Sequence, residues 1–481
     1  KFARPVTFPL EIKPCICNPK YRHPPSLLIR HTTSHTMTER KYDLVVFGAT
    51  GFTGGLAAEH LARAAPKGLK WALAGRSLKK LEDVRQNLVE LNDSLKVSFI
   101  LSLLPKYVKP RTGSQKCENN SNSSNIYAHD PIPAPGPPSP HRRLKRYPGA
   151  GCHHAGNPRC REHYRSVYQI RHPARRLMRA QQDSLRRHDG RWVKQIIAKY
   201  NETAIADGTI IVPCCAFDSV PSDLGTLMCV DFIRQNFDRA TDDVKMSVTK
   251  MAGGLSGGTI ASSLEGVGSS SDMSELTDPY LISPVRGVDK SSIPSFYYDR
   301  DFGGWQAMFF MAVTNERVVR RSAGIKAQQG EPYGKLFKEW MTLSLYKAVL
   351  FTLAYVVVTP ILSLLLKVSF MRTWIVNAVP APGTGPTKEE LANADFEMQI
   401  VATADTEPYE DPIRVVGRVK GFADPGYVLG SMMAVEGALA ILCDADHSPG
   451  KGGILTPATA LGHPYVDRLR AQGMVFEVQR L

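Results

Sequence analysis

The sequence predicts an α/β fold, with a Rossmann-type dinucleotide-binding domain and a second α/β domain around a mixed sheet. An irregular stretch over residues 96–191 interrupts the first domain. Three observations predict this. A short apolar run, Asp43–Phe47, opens directly into a glycine turn and then an amphipathic segment, Leu56–Ala65. Apolar strand-like runs alternate with helical periods over most of the chain. Between Leu95 and Trp192 every period is lost, which is foreign to the inside of a compact domain.

The turn reads Gly48-Ala49-Thr50-Gly51-Phe52-Thr53-Gly54. Glycine at Gly48 and Gly51 allows a tight turn and close approach of a pyrophosphate, and Gly54 allows the helix to pack on the strand. The helix N-terminus then presents N–H groups and a partial positive charge to the phosphates. A glycine triplet gains meaning only with a strand before it and a helix after it, and both are here. The next strand, Trp71–Ala74, ends in Gly75-Arg76-Ser77. An NAD site usually places an acid there for the ribose 2′-OH. Arg76 and Ser77 suit a 2′-phosphate instead, so NADP is expected over NAD. The competing reading is a nucleotide-free domain with a surface arginine.

A helix follows over Leu78–Leu91, with apolar residues at Leu81, Val84, Leu88 and Leu91. Order returns with an amphipathic helix, Trp192–Ala206, and a buried strand, Thr209–Pro213. That strand leads into Cys214–Gly225, which leaves the carboxyl end of a parallel strand and so marks the substrate side. Asp218 there is a candidate general base or substrate-ammonium partner. Its competing role is a helix cap, with Asp218 or Ser219 ahead of Pro221 and Asp223. Cys214 and Cys215 read as inert thiols buried at an apolar strand end, with reactive thiols as the alternative. Further on, Val244–Thr249 and Trp305–Val313 read as strands, and Gly253–Thr259 as a loop opening a helix. Ala348–Leu366 is uniformly apolar between Lys347 and Lys367, with Pro360 expected to kink it. It reads as a membrane-associated segment, with a buried core helix as the alternative. A linker, Pro380–Pro386, precedes two antiparallel strands, Phe396–Thr403 and Ile413–Val419. An apolar helix over Tyr427–Leu442, a short helix after Thr456–Ala460 and a closing strand, Val475–Val478, complete the chain.

The net charge of +15 resembles that of a nucleic-acid binder. Its distribution excludes that class. Residues 1–36 carry an excess of five basic groups and residues 96–191 an excess of fourteen, so the remainder is slightly acidic. Nine cysteines without a framework of spacings point to a reducing compartment and free thiols. The organisation expected is a leader over 1–36, with Met37 as the start, and the first half of the Rossmann domain over 37–95. Its end follows over 192–230, beyond the irregular segment. The second domain begins over 231–345, is broken by the membrane-associated segment over 346–379, and is completed over 380–481. A transit-peptide reading of the leader is the alternative.

These motifs, in this order, resemble the saccharopine dehydrogenase-like oxidoreductases, in the lipid-droplet-associated branch that also includes trans-acting enoyl reductases. Tyr42–Gly54, Trp71–Ser77, Pro213–Gly225, Ser256–Thr259, Pro380–Pro386, Gly421–Tyr427 and Gly452–Ala460 carry the resemblance. It covers most of residues 40–95 and 192–481. The resemblance implies an NADP-type Rossmann domain, a second domain on a mixed sheet and a hydrophobic segment before the proline linker. It further implies a lipid-like or amino-acid-like substrate and a place on the cytoplasmic side of a lipid droplet or membrane. The mitochondrion is the alternative location, and a homodimer is compatible. A non-catalytic NADP-binding protein of membranes or lipid droplets is the second functional class.

The departure from the family is residues 96–191. Skipping one nucleotide in permissible codons for Tyr168–Pro173 restores Ile-Lys-Tyr-Gly-Thr-Pro. The same skip restores family-like runs from Gln181–His188 and Asn157–Tyr164. Residues 140–191 are therefore expected to be a frame-shifted translation and residues 96–139 intron or damaged sequence. The whole stretch 96–191 is expected to be irregular and not to complete the Rossmann sheet, so that the chain as given binds NADPH weakly and is inactive. On that reading Cys152, His153, His154, Cys160 and His163 are no metal site, and no metal is expected.

Overall fold

The computed structural model describes residues 41–91, 97–101, 190–253, 277–290, 295–368 and 386–481, with a few isolated positions between them. The leader, residues 102–189, the loop over 256–259 and most of the proline linker lie outside the described residues. Residues 42–481 form one compact unit.

The first half is a parallel βαβαβ arrangement. Strand β1 (Leu44–Phe47) leads through the glycine turn into helix α1 (Phe52–Ala64). Strand β2 (Trp71–Gly75), with every residue buried, leads into α2 (Leu78–Leu91). Strand β3 (Ser98–Leu101) pairs with β2, placing Phe99 opposite Leu73 and Ile100 opposite Ala74. This strand falls within the stretch read as irregular. Its four-residue apolar run is strand-forming, but the charge-rich surroundings hide so short a signal. Helix α2 buries Leu81 and Leu88 and leaves Leu91 exposed, so its apolar stripe is narrower than its sequence pattern.

Helix α3 (Arg191–Ala206) leads to a two-residue strand, β4 (Ile210–Ile211), paired in parallel with β11 (Gly453–Ile454). The strand expected to Pro213 stops early, because proline has no N–H to continue a ladder. Helix α4 (Val220–Phe237) then leads into a second sheet.

That sheet is seven-stranded and mixed. Its chain elements are β5 (Thr241–Met251), β6 (Phe296–Asp299), β7 (Gly304–Met308), α5 (Ala312–Gln328), β8 (Leu336–Leu343) and α6 (Leu345–Lys367). They continue as α7 (Lys388–Ala392), β9 (Phe396–Ala404) and β10 (Arg414–Gly421). After a π-helical turn (Pro425–Leu429) come α8 (Gly430–Cys443), β11, α9 (Pro457–Ala460), α10 (Gly462–Ala471) and β12 (Val475–Arg480). The sheet order is β12-β10-β9-β5-β8-β7-β6, with β5 and β8 parallel and the other neighbours antiparallel. The apolar run Trp305–Val313 is split. Its strand ends at Met308, the chain turns as Ala312 N–H bonds Phe309 C=O, and α5 begins. The helix is hard to see in the sequence because its buried face carries Asn315, Glu316, Arg317, Arg320 and Ser322. The proline at Pro360 leaves α6 continuous from Leu345 to Lys367.

Candidate active site

The glycine turn is built by backbone contacts. Gly48 has a φ of 80°, in the left-handed region, and its N–H bonds Ala74 C=O at 2.9 Å. Gly51 N–H bonds Gly48 C=O at 2.9 Å. A Cβ on Gly54 would lie 2.2 Å from Gly48 O, so only glycine lets α1 sit this close to the end of β1. Gly51 occupies the helix N-cap without a side-chain hydrogen bond, and no acid lies in the first turn. The first N–H groups and the positive end of the helix are thereby kept for an anion. Ala49 is buried, and Thr50, Phe52 and Thr53 are half-buried around the turn. The cradle fits a dinucleotide pyrophosphate.

At the end of β2, Gly75 is buried and Arg76 exposed. A Cβ on Gly75 would lie 3.1 Å from Leu81 Cδ2 and 3.5 Å from Thr50 Cγ2, so Thr50 of the glycine turn sits beside this strand end. Ser77 is half-buried and its hydroxyl accepts from Lys80 N–H at 3.4 Å. No acidic side chain occupies the strand end or the first turn of α2.

The C-terminal half of the chain closes on this turn. The Phe52 ring meets Tyr427 edge-on at 5.2 Å, and Ser431 Oγ donates to Thr53 C=O at 3.1 Å. Two turns further along α1, His60 Nε2 lies 2.9 Å from Glu436 Oε1, and Arg468 pairs with the other oxygen of that carboxylate. Val435 and Leu439 join the hydrophobic core formed with β1, β2, α1 and α2, so the apolar helix α8 is a core helix. Asp424 caps the π-helical turn by accepting from Tyr427 N–H at 2.7 Å. A Cβ on Gly253 would lie 2.6 Å from Asp424 Oδ2, so the loop that starts at Gly253 begins beside this turn. A Cβ on Gly430 would lie 3.8 Å from Phe217 N, so the segment after β4 is also brought alongside.

In that segment Cys214 adopts a φ of 57°, a left-handed conformation that costs a non-glycine residue roughly 1–2 kcal/mol. Such strain marks a place that the surrounding structure holds against local preference. Burial pushes both thiols up to about 12. Nearby carboxylates, Asp218 first, add to the effect at Cys214, and a hydrogen bond with Tyr465 opposes it at Cys215. Both are neutral thiols at physiological pH. Asp218 is half-buried, next to the helix start. Ser219 holds the N-cap position of α4 but does not cap it; its hydroxyl donates instead to Asn315 Oδ1 at 3.1 Å. Pro221 and Asp223 stand in the first turn as expected.

Beneath α4 lies a polar cluster that the sequence pattern does not announce. Asp223 accepts from Ser322 Oγ at 2.5 Å and from Ala458 N–H at 2.8 Å. Burial raises its carboxyl to about 7, against the opposing effect of those hydrogen bonds. Glu339 of β8 accepts on Oε1 from Ser222 Oγ at 3.1 Å and Asn315 Nδ2 at 3.0 Å. Its Oε2 is buried with no hydrogen-bond partner among the described residues. Burial, reinforced by the adjacent Glu316, raises Glu339 to about 8. Glu316 stays paired with Arg320, which also holds Asp289. Two acids that hold their protons far more tightly than usual therefore sit under the segment that emerges from β4. The only sequence signal was an acid in the first turn of α4, which usually means no more than a favourable helix dipole. Among the described residues no group of three or more His, Cys, Asp or Glu side chains forms a metal site.

No protein-family model matches the chain. A putative trans-acting enoyl reductase of Mycobacterium tuberculosis is 30% identical over 465 residues, which is 93% of this chain and 99% of the relative. Trans-acting enoyl reductases of Mycobacterium bovis and Mycobacterium leprae are 26% identical, over 92% of this chain and 99% of theirs. Apo saccharopine dehydrogenase (L-Glu forming) from Saccharomyces cerevisiae superposes with a TM-score of 0.43 at 10% identity, over 91% of this chain and 99% of that one. On the first relative's identity and coverage, the chain belongs to the trans-acting enoyl reductase family.

Proposed function

We propose that this protein is an NADP(H)-dependent oxidoreductase that acts on a lipid-like substrate, such as an enoyl chain, at a membrane or lipid-droplet surface. The observation that carries the cofactor reading is the end of β2, where Arg76 is exposed and Ser77 stands where an acid would hold a ribose 2′-OH. When bound, the nicotinamide supplies the hydride. The chain supplies the pyrophosphate cradle at Gly48–Gly54, a cation for the 2′-phosphate, and a wall made by Tyr427, Gly253 and the Cys214–Ser219 segment. Arg76→Ala should weaken NADPH about 10- to 100-fold, the worth of a charge-assisted hydrogen bond of about 1.5–3 kcal/mol. NADH binding should change little. Titration of both cofactors by fluorescence tests this, and equal losses would remove the NADP assignment.

The membrane reading rests on α6. Over Leu345–Leu366 it is long and apolar enough to span a bilayer, and apart from Ala348 and Leu366 its described side chains are exposed or half-exposed, Leu353 at 58% and Leu364 at 67%. At 1.5 Å per residue it is about 33 Å long, against a hydrocarbon core of about 30 Å. A core helix would be covered on most sides, as α8 is. Deleting Ala348–Leu366 should move the protein from the membrane to the soluble fraction. An intact chain that stays soluble without detergent would contradict the reading. NADPH consumption on addition of a lipid extract supports the enzyme. Binding of NADPH without turnover supports a non-catalytic cofactor-binding protein in the same place.

A further inference from the structure

Strand β6 is the edge of the seven-stranded sheet, and its side chains alternate in the usual way. Phe296 and Tyr298 share one face, and are 41% and 52% exposed. Both rings pack on Trp305 of β7, with centroids 6.2 and 5.8 Å away. The sheet register pairs Trp305 with Leu343, two residues before α6 begins at Leu345. The three rings therefore stand at the foot of the bare apolar helix. Tyr346, 75% exposed, and exposed Lys347 stand at the same level of the chain.

Asp299, on the opposite face of β6, and Asp301 in the hairpin turn are paired with Lys245 at 3.1 and 2.5 Å, and Arg414 also pairs with Asp301 at 2.5 Å. Arg300, two residues after Tyr298, and Lys347, in the first turn of α6, are exposed cations on these elements. Open aromatic rings on a sheet edge invite association. Aromatic rings beside cationic groups, at the end of an apolar helix, are the composition that settles at the headgroup level of a bilayer.

We infer that Phe296, Tyr298 and Trp305 form a second membrane contact, a foot that enters the headgroup layer of an anionic phospholipid surface at the base of α6. It fixes the tilt of the seven-stranded sheet on the membrane, which a single helix leaves free to rotate. A lipid-like substrate then reaches the site from a defined side. The inference rests on the reading of α6 as the membrane segment.

The test uses the full chain with exposed Cys443 and the cysteines outside the described residues replaced by serine. Nitroxide labels are attached singly through Phe296→Cys, Tyr298→Cys, Leu353→Cys and Tyr409→Cys, and the protein is bound to phosphatidylcholine–phosphatidylserine vesicles. Accessibility of each label to oxygen and to a water-soluble nickel chelate gives its depth. Labels at 296 and 298 should lose nickel accessibility and keep oxygen accessibility when vesicles are present. The label at 353 should report the bilayer interior, and the label at 409 the aqueous phase. If 296 and 298 stay aqueous while 353 is deep, the foot is wrong and the membrane helix stands. If 353 is aqueous as well, both readings fall. Protection of 296 and 298 from both reagents before vesicles are added would mean that a second copy of the chain covers this edge, and would overturn the inference.

Discussion

Gly54→Ala should abolish cofactor binding while Gly55→Ala, one residue away, leaves it intact. The added methyl at Gly54 would lie 2.2 Å from Gly48 O, 2.8 Å from Gly48 C and 3.1 Å from Ala49 Cα. All three are backbone atoms of the turn itself, so no side chain can swing aside. Helix α1 must back away from β1 or the turn must open. Overpacking of this kind costs about 1–3 kcal/mol where side chains can shift, and more against backbone. The displaced atoms form the pyrophosphate cradle, so most of that cost falls on binding, and a loss of 100-fold or more is expected at about 1.4 kcal/mol per tenfold. A Cβ on Gly55 would meet only Ala49 O, at 3.8 Å, an ordinary contact. There the substitution should add about 0.5–1 kcal/mol of helix stability. NADPH titration and thermal melting of both variants decide the matter. Wild-type affinity in Gly54→Ala would show that the turn does not hold the phosphates.

The folded protein should lose stability steadily as the pH rises from about 5 to 8, the span over which buried carboxyls must give up protons. Folded Glu339 keeps its proton to about 8 and Asp223 to about 7, while their ordinary values are 4.5 and 3.8. Both folded values lie above the unfolded ones. Between them the folded state binds more protons, so the stabilising contribution is complete below the unfolded values and is lost as the pH climbs through the folded ones. His463, raised from 6.5 chiefly by its hydrogen bond to Asp231, tilts the curve the same way. Asp278, Asp301 and Glu331 are lowered below their ordinary values, so their contribution is lost only in stronger acid. At about 1.4 kcal/mol per tenfold change in proton affinity, Glu339 alone withdraws a few kcal/mol over its range. Glu339→Gln preserves the shape and the acceptor for Ser222 and Asn315 but cannot ionise. Its melting temperature should fall less steeply with pH than that of the wild type. Parallel curves would mean that Glu339 is ionised in the folded protein at neutral pH.

The glycine turn, the strand end at Arg76 and the apolar segment of α6 were legible because each is a local pattern. A left-handed φ at Gly48, a close approach at Gly54 and a run of bare apolar side chains all follow from neighbours within a few residues. The strand at Ser98–Leu101 and the split of Trp305–Val313 were less so, since four residues carry too little periodicity and α5 hides its helical period behind buried charges. The buried acids were out of reach entirely. Glu339 looks like one charge in a strand until Ser222, 117 residues before it, and Asn315 are packed against it. Asp223 is an ordinary helix-start acid until Ala458, 235 residues later, donates to it. Sequence alone determined where the chain makes its glycine turn, which polar residues end β2 and which helix stays apolar, because these depend on chain stiffness and local polarity. Tertiary structure decided which acids stay neutral, and it brought Tyr427 and Ser431 onto the glycine turn. Desolvation and hydrogen bonding between distant residues exist only once the chain has folded around them.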